Sequence, residues 1–127
     1  MVLDMIYKTR HFTRWARKVV LSDQALCRAV AEIRQGLVDG DLGGGVIKKR
    51  VALPGHGKRG STRTLLATNR GDRWIFIYGF EKNERANVTP NELEALKLLA
   101  GDLLALTDPQ TSEAVEKGLI LEVSHET

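Results

Sequence analysis

The sequence is poor in the residues that build disulfide frameworks, metal centres and membrane spans. Cys27 is its single cysteine, so no internal disulfide can form, in keeping with a reducing compartment. Its plain reading is a small, half-buried helix residue. The three histidines fall in no metal-ligand spacing, and no metal or other cofactor is expected. No stretch approaches the roughly 20 apolar residues that span a bilayer, and the opening MVLDMIYKTR lacks the apolar centre of a secretory signal. The expected location is the cytoplasm, with no membrane partner. Three prolines and 12 glycines in 127 residues, with 43% apolar and 28% charged residues, exclude a fibre or a disordered chain. Repeats and low-complexity tracts are also missing. The length suits a single domain over 1–127, with a core over about 4–107 and a C-terminal extension over 108–127.

Charge is unevenly placed. The formal net charge is +3, but residues 43–85 hold ten Lys/Arg against three Asp/Glu, whereas residues 86–127 hold two against eight. A basic block followed by an acidic tail points to a local polyanion site. A solvated strand face is the bland alternative.

Residues around Met5 to Tyr7 fit a first strand, and Phe12, Trp15, Ala16 and Val19 recur at helical spacing within His11–Val20. Ser22-Asp23 starts a second helix whose apolar stripe is Leu26, Val30, Ile33 and Leu37, and which stops at Gly36 to Gly40. A helical hairpin is the result. Beyond the glycines at 43–45, Val46 to Leu53 reads as a strand and Pro54 to Gly57 as a flexible loop. Thr62 to Thr68 and Arg73 to Phe80, joined by the turn Asn69-Arg70-Gly71-Asp72, predict antiparallel neighbours. Trp74 to Tyr78 is apolar on both parities, as in a central strand covered on both faces. Thr89-Pro90-Asn91-Glu92 is a capping box that opens a helix rich in leucine, from Leu93 to Leu106, which packs on the sheet and has apolar surface left for a partner. Thr111 to Lys117 fits a further helical stretch, and Leu119 to Val123 a short strand.

Four groups in the basic block could act on a phosphate. Lys48 and Arg50, two apart in a strand, project from one face about 7 Å apart. In the loop Gly55 to Gly60, the glycines let backbone amides approach an anion while Lys58 and Arg59 add charge. A strand follows that loop, which argues against a nucleotide P-loop and hence against ATP or GTP. Arg63 opens the next strand and can fork onto a phosphate. Lys82 and Arg85 add cations at the exit of the central strand, unless Glu81 and Glu84 pair with them in a turn that holds the last helix. RNA carries its own nucleophile in the 2′-hydroxyl. Cleaving it requires a base, cations for the anionic transition state and an acid for the leaving oxygen. Arginines meet the second need. Lys48 or Lys58, held among other cations, or His56 could move the protons. His11 opens a helix and His125 lies near the end of the chain, so neither is assigned a role. The aromatics Trp74, Phe76, Tyr78 and Phe80 read as core in preference to a base-stacking platform.

The sequence resembles the RelE-type toxins of bacterial type II toxin–antitoxin pairs, the RelE/HigB branch of the RelE/ParE superfamily with a long glycine-rich loop in the sheet. The residues that carry the likeness are Phe12-Thr13-Arg14-Trp15-Ala16, Asp41 to Ala52, Gly55-His56-Gly57-Lys58 with Arg63, and Tyr78-Gly79-Phe80-Glu81-Lys82-Asn83. The resemblance implies an α+β fold in which an N-terminal strand and helical hairpin pack on an antiparallel-rich sheet with a C-terminal helix. It also implies a ribosome-dependent endoribonuclease that cleaves messenger RNA without metal and so inhibits translation. Its partners would be the ribosome, mRNA and a cognate antitoxin in a hetero-oligomer. Carried over by position, Lys48, Arg50, Lys58, Arg63 and His56 are the catalytic candidates, and Lys49, Arg59, Lys82 and Arg85 the RNA contacts. The chain departs from the family pattern at Thr89, where many relatives have tyrosine, at Asn83, where they have arginine, and at Arg59-Gly60-Ser61, where this branch has two glycines after the loop lysine. Two other readings use the same surface: a non-catalytic RNA- or ribosome-binding protein, and a ParE-like toxin with a non-RNA target. The Lys-x-Arg pair and the glycine-rich loop count against the second.

Overall fold

The computed structural model describes residues 5–53 and 61–124. The loop carrying His56, Lys58 and Arg59 lies outside them, as does His125. Strand β1 (Met5–Thr9) runs straight into helix α1 (Arg10–Lys18), because Thr9 both ends the strand and caps the helix: its Oγ1 accepts from the Phe12 amide at 3.1 Å. Helix α2 (Asp23–Arg34) starts where the sequence places it, with the Ser22 Oγ accepting from the Ala25 amide at 3.2 Å. The hairpin β2 (Gly40–Gly43) and β3 (Val46–Ala52) turns through Gly44 and Gly45, at φ of 61° and 82°, a backbone region that side chains with a Cβ avoid. Strands β4 (Ser61–Thr68) and β5 (Arg73–Glu81) follow. Helix α3 (Pro90–Leu104) opens on the expected Thr89–Glu92 capping box. Helix α4 (Asp108–Glu116) repeats the device with Thr107 and Gln110, and strand β6 (Ile120–Glu122) ends the fold.

The sheet has six strands in the order β2-β3-β4-β5-β1-β6. Strand β1 is parallel to β5, and every other neighbouring pair is antiparallel. The fold is therefore α+β with an antiparallel-rich sheet, as the sequence indicates. Edge strand β2 is the element the sequence does not display: its residues Gly-Asp-Leu-Gly read as punctuation, and only pairing with β3 makes them a strand.

Each face of the sheet carries its own core. On one, Phe12, Ala16, Leu26, Val30 and Ile33 of α1 and α2 pack on Ile6, Ile47, Val51, Leu66, Trp74 and Phe76. On the other, Ala100 of α3 and Ala114 of α4 pack on Tyr7, Val46, Leu65, Ala67, Ile75, Ile77 and Ile120. Strand β5 thus supplies both cores, as its two apolar parities require. Arg73 anchors the second layer: its Nη1 donates to the carbonyls of Leu103 (3.1 Å) and Leu106 (2.7 Å), and its Nη2 lies 3.4 Å from Asp108. A cation there satisfies orphan carbonyls at the negative end of α3.

Of β5, strand β1 pairs only with Arg73 to Phe76, so the far half of β5 has no strand on the side away from β4, and α1 lies there instead. The approach is close enough that a Cβ on Gly79 would overlap the Trp15 ring. Glycine at this position is what lets the helix reach the strand.

Candidate nucleic-acid interface

Alternation along β3 divides the cations of the Lys-Lys-Arg run. Ile47 and Val51 belong to the core under α1 and α2, and Lys49, at the same parity, points with them. Lys49 is 6% exposed, and its Nζ lies 2.8 Å from Glu32 Oε1 of α2. This corrects the reading of Lys49 as an RNA contact. It is a buried, ion-paired cation that clamps α2 to β3. Lys48 and Arg50 take the other face with Val46, as their two-residue spacing predicts.

The register then brings the third cation alongside. Arg50 pairs directly with Arg63 of β4, and Lys48 with Leu65. Leu65 and Ala67 lie in the core under α3, which places Arg63 on that same face. Two arginines therefore sit side by side on adjacent strands, about 5 Å apart at the backbone, with Lys48 one step along. Like charges so placed repel, and an anion between them relieves the repulsion. Arg63 Nη1 donates to Ser61 Oγ at 2.9 Å. Among the described residues, none of Lys48, Arg50 and Arg63 forms an ion pair. His56, Lys58 and Arg59, the remaining loop candidates, lie outside the described residues.

The grid extends onto β5. Leu65 pairs with Tyr78 but Leu66 pairs with Phe76, leaving Ile77 unmatched. This is a β-bulge that resets the alternation. Ile77 and Tyr78 both turn toward the α3 face, and Phe80, opposite Arg63, follows. Two rungs cross the sheet: Lys48-Leu65-Tyr78 and Arg50-Arg63-Phe80. Tyr78 is partly buried and packs on the α3-side core, as the sequence indicates, and its ring also lines the recesses beside it.

Arg85 stands over Phe80, with its guanidinium carbon 6.0 Å from the ring centre. It donates to both Glu92 carboxylate oxygens, to Tyr78 Oη at 3.3 Å and to the Asn87 carbonyl at 2.9 Å. The hydrogen bond from Arg85, with help from the Thr89 amide, holds the Glu92 carboxyl well below its ordinary range, at about 2. Bonding to Glu92 raises Arg85 in turn. The turn after β5 is thus ion-paired and holds the helix that follows it, α3, one of the two outcomes the sequence leaves open. The carboxylate is Glu92 of α3, in place of Glu81 or Glu84. Lys82 is exposed in that turn.

The sequence assigns no role to His11, yet its ring stacks on Tyr78, with centroids 5.6 Å apart and planes 7° from parallel. The two rings form a ridge between two recesses. On one side is an apolar groove of about 730 Å³ between α3 and α4, lined among others by Leu96, Leu99, Leu103, Leu106 and Leu119. On the other is a polar recess of about 430 Å³ between α1 and β5. No local pattern signals the His11–Tyr78 pair, which depends on the bulge and on the seating of α1. Among the described residues, no three His, Cys, Asp or Glu side chains gather as metal ligands. Among the same residues no helix is long and apolar enough to cross a membrane.

Comparison with curated proteins gives no match. A family model described as the RelE toxin of the RelE / RelB toxin–antitoxin system matches residues 4–123, from the start of β1 to the end of β6. With the mixed sheet, the paired helices and the basic grid all inside the matched span, the chain belongs to the RelE toxin family of toxin–antitoxin systems.

Proposed function

We propose that the protein is a ribosome-dependent endoribonuclease that cleaves messenger RNA through the RNA's own 2′-hydroxyl and thereby stops translation. The observation that carries this reading is the direct pairing of Arg50 with Arg63, beside Lys48, where among the described residues none of the three side chains forms an ion pair and the Asp39 carboxylate accepts only from the backbone amide of Arg50. The scissile phosphate lies on Arg63 and Arg50. Attack by the 2′-oxygen forms a 2′,3′-cyclic phosphate as the bond to the 5′-oxygen breaks, and the crowded anionic phosphorus is stabilised by two forked guanidinium groups. Lys48, or Lys58 or His56 from the neighbouring loop, takes the hydroxyl proton, and a protonated member of the same group returns one to the leaving oxygen. The cytoplasm is where such a protein meets its substrate.

In this reading the cognate antitoxin neutralises the toxin with an acidic segment that covers the basic face and an apolar segment on the leucine-rich helix α3, where Leu98 is 73% exposed. Co-purification with the product of the adjoining reading frame is the expected result for the partner.

The test is cleavage of a message on programmed ribosomes. Wild type is expected to cut it, leaving a cyclic phosphate end, and Arg63→Ala to lose about 100-fold in rate, the usual effect of removing one preorganised donor to a developing oxyanion. An intact message with folded wild-type protein favours the non-catalytic binder and contradicts the nuclease.

A further inference from the structure

The cationic grid does not end at Phe80. Past it, where β5 runs on without β1 beside it, α1 supplies the far wall of the polar recess with His11, Arg14 and Lys18, while Tyr78, Phe80 and Arg85 supply the near wall. Arg14 and Lys18 are four apart on one helix and so share a face. Among the described residues neither forms an ion pair. Glu84 also lines the recess, but Arg85 already carries its own counter-charge in Glu92, and the two α1 cations outweigh the one remaining carboxylate. The recess, at about 430 Å³, falls within the range of about 300–1,000 Å³ typical of small-ligand sites.

We propose that this recess holds the nucleotide next to the cleaved phosphodiester, with its base against the His11–Tyr78 ring pair and its phosphate on Arg14 and Lys18. This rests on the nuclease reading above and extends it to residues to which the sequence assigns no RNA-binding role. Three features favour RNA over an acidic peptide. A flat stacked aromatic pair offers a π-face that any base can use. Two cations that form no ion pair among the described residues, Arg14 and Lys18, line the same recess as the ring pair. Phe80, which lines the recess, is the direct cross-strand partner of Arg63, about 5 Å away at the backbone, with Arg50 one strand further, so the recess and the arginine pair lie within the reach of a short run of nucleotides. The nearby apolar groove, by contrast, suits a peptide and lies on the other side of the ridge. His11 is exposed and Arg14 is exposed on the helix surface, so both can be changed without opening a core.

The experiment measures kcat/KM for cleavage on programmed ribosomes, using messages that carry one abasic nucleotide at each position flanking the cut. At one flanking position, base removal is expected to lower the wild-type value at least about 5-fold, the low end of what one stacked base contributes. His11→Ala is expected to lose a similar factor on the intact message and to be indifferent to base removal at that position, because ring and base report one contact. The Arg14→Ala/Lys18→Ala variant is expected to raise KM more than it lowers kcat and to flatten the salt dependence by about 0.7 in log–log slope, the share of one single-strand phosphate. Melting temperatures exclude misfolding. If the His11 and base effects multiply independently, or neither exists while Arg63→Ala still loses cleavage, the recess is not a nucleotide site and the nuclease reading survives. If these variants cut normally but no longer bind the antitoxin, the recess is a protein contact and the proposal is overturned. If wild type does not cut at all, both readings fall.

Discussion

Lys48 and Lys49 are adjacent, chemically identical, and opposite in use. Lys49 is buried against Glu32 under α2, whereas Lys48 stands on the far face beside two arginines, none of the three in an ion pair among the described residues. The two faces of the sheet differ in the same way. Under α1 and α2 the core is well filled and its one buried cation is paired. On the other side, α3 buries only Ala100 of its own residues and leaves Leu98 and Leu99 exposed, and the cations that form no ion pair among the described residues lie on that face. Both faces carry a core, but only the second leaves exposed apolar and cationic side chains available for contacts.

If that division is right, disturbing the first face should cost stability and leave the second face's chemistry in place. Removing the counter-charge with Glu32→Ala strands an ammonium that is 7% exposed. An unfolding loss of about 2–3 kcal/mol is expected by urea titration, below the full cost of a broken buried pair because Glu32 is itself partly solvated. Lys49→Met is expected to cost less, since the half-exposed Glu32 can turn to water. Next, Gly79→Ala forces a methyl into the Trp15 ring, for an expected loss of about 1–3 kcal/mol by the same titration. On the second face the signs exchange. Lys48→Ala is expected to change stability by no more than about 0.5 kcal/mol and to lower cleavage on programmed ribosomes about 10-fold. An equal stability loss at Lys48 and Lys49 would erase the contrast.

The smallest expected effect concerns the turn that closes the second face. The Glu92 carboxyl sits near 2 in the fold against an ordinary value of 4.5. A depressed carboxylate contributes stability that is complete above its unfolded value and is lost as pH falls through its folded one. The gap in stability between wild type and Arg85→Ala is therefore expected to be constant above about pH 5 and to narrow between 4.5 and 2. Thermal melts across that range check it, and a gap that widens toward acid contradicts the pairing.

What could be read from the sequence was local. The Thr89–Glu92 box, the Ser22 cap and the shared face of Lys48 and Arg50 each follow from neighbours within four residues, and each is present in the structure. The same alternation already sets Lys49 opposite Lys48, but charge alone groups it with the RNA contacts; burial decides the matter. The Arg50–Arg63 pairing needs a strand register, which spacing suggests without fixing. The bulge at Ile77 was not legible, because a strand apolar on both parities gives no sign of where its alternation resets. The Tyr78–His11 stack therefore stayed out of sight, and so did the choice of Glu92 as the partner of Arg85.

In the proposed function the Arg50–Arg63 pair is the phosphate site and the buried Lys49 is not. Cleavage of a message on programmed ribosomes by wild type, Arg63→Ala and Lys49→Met tests it in one assay. The account predicts a loss of about 100-fold for Arg63→Ala and activity close to wild type for folded Lys49→Met. Equal loss in both variants, or none in Arg63→Ala, would contradict it.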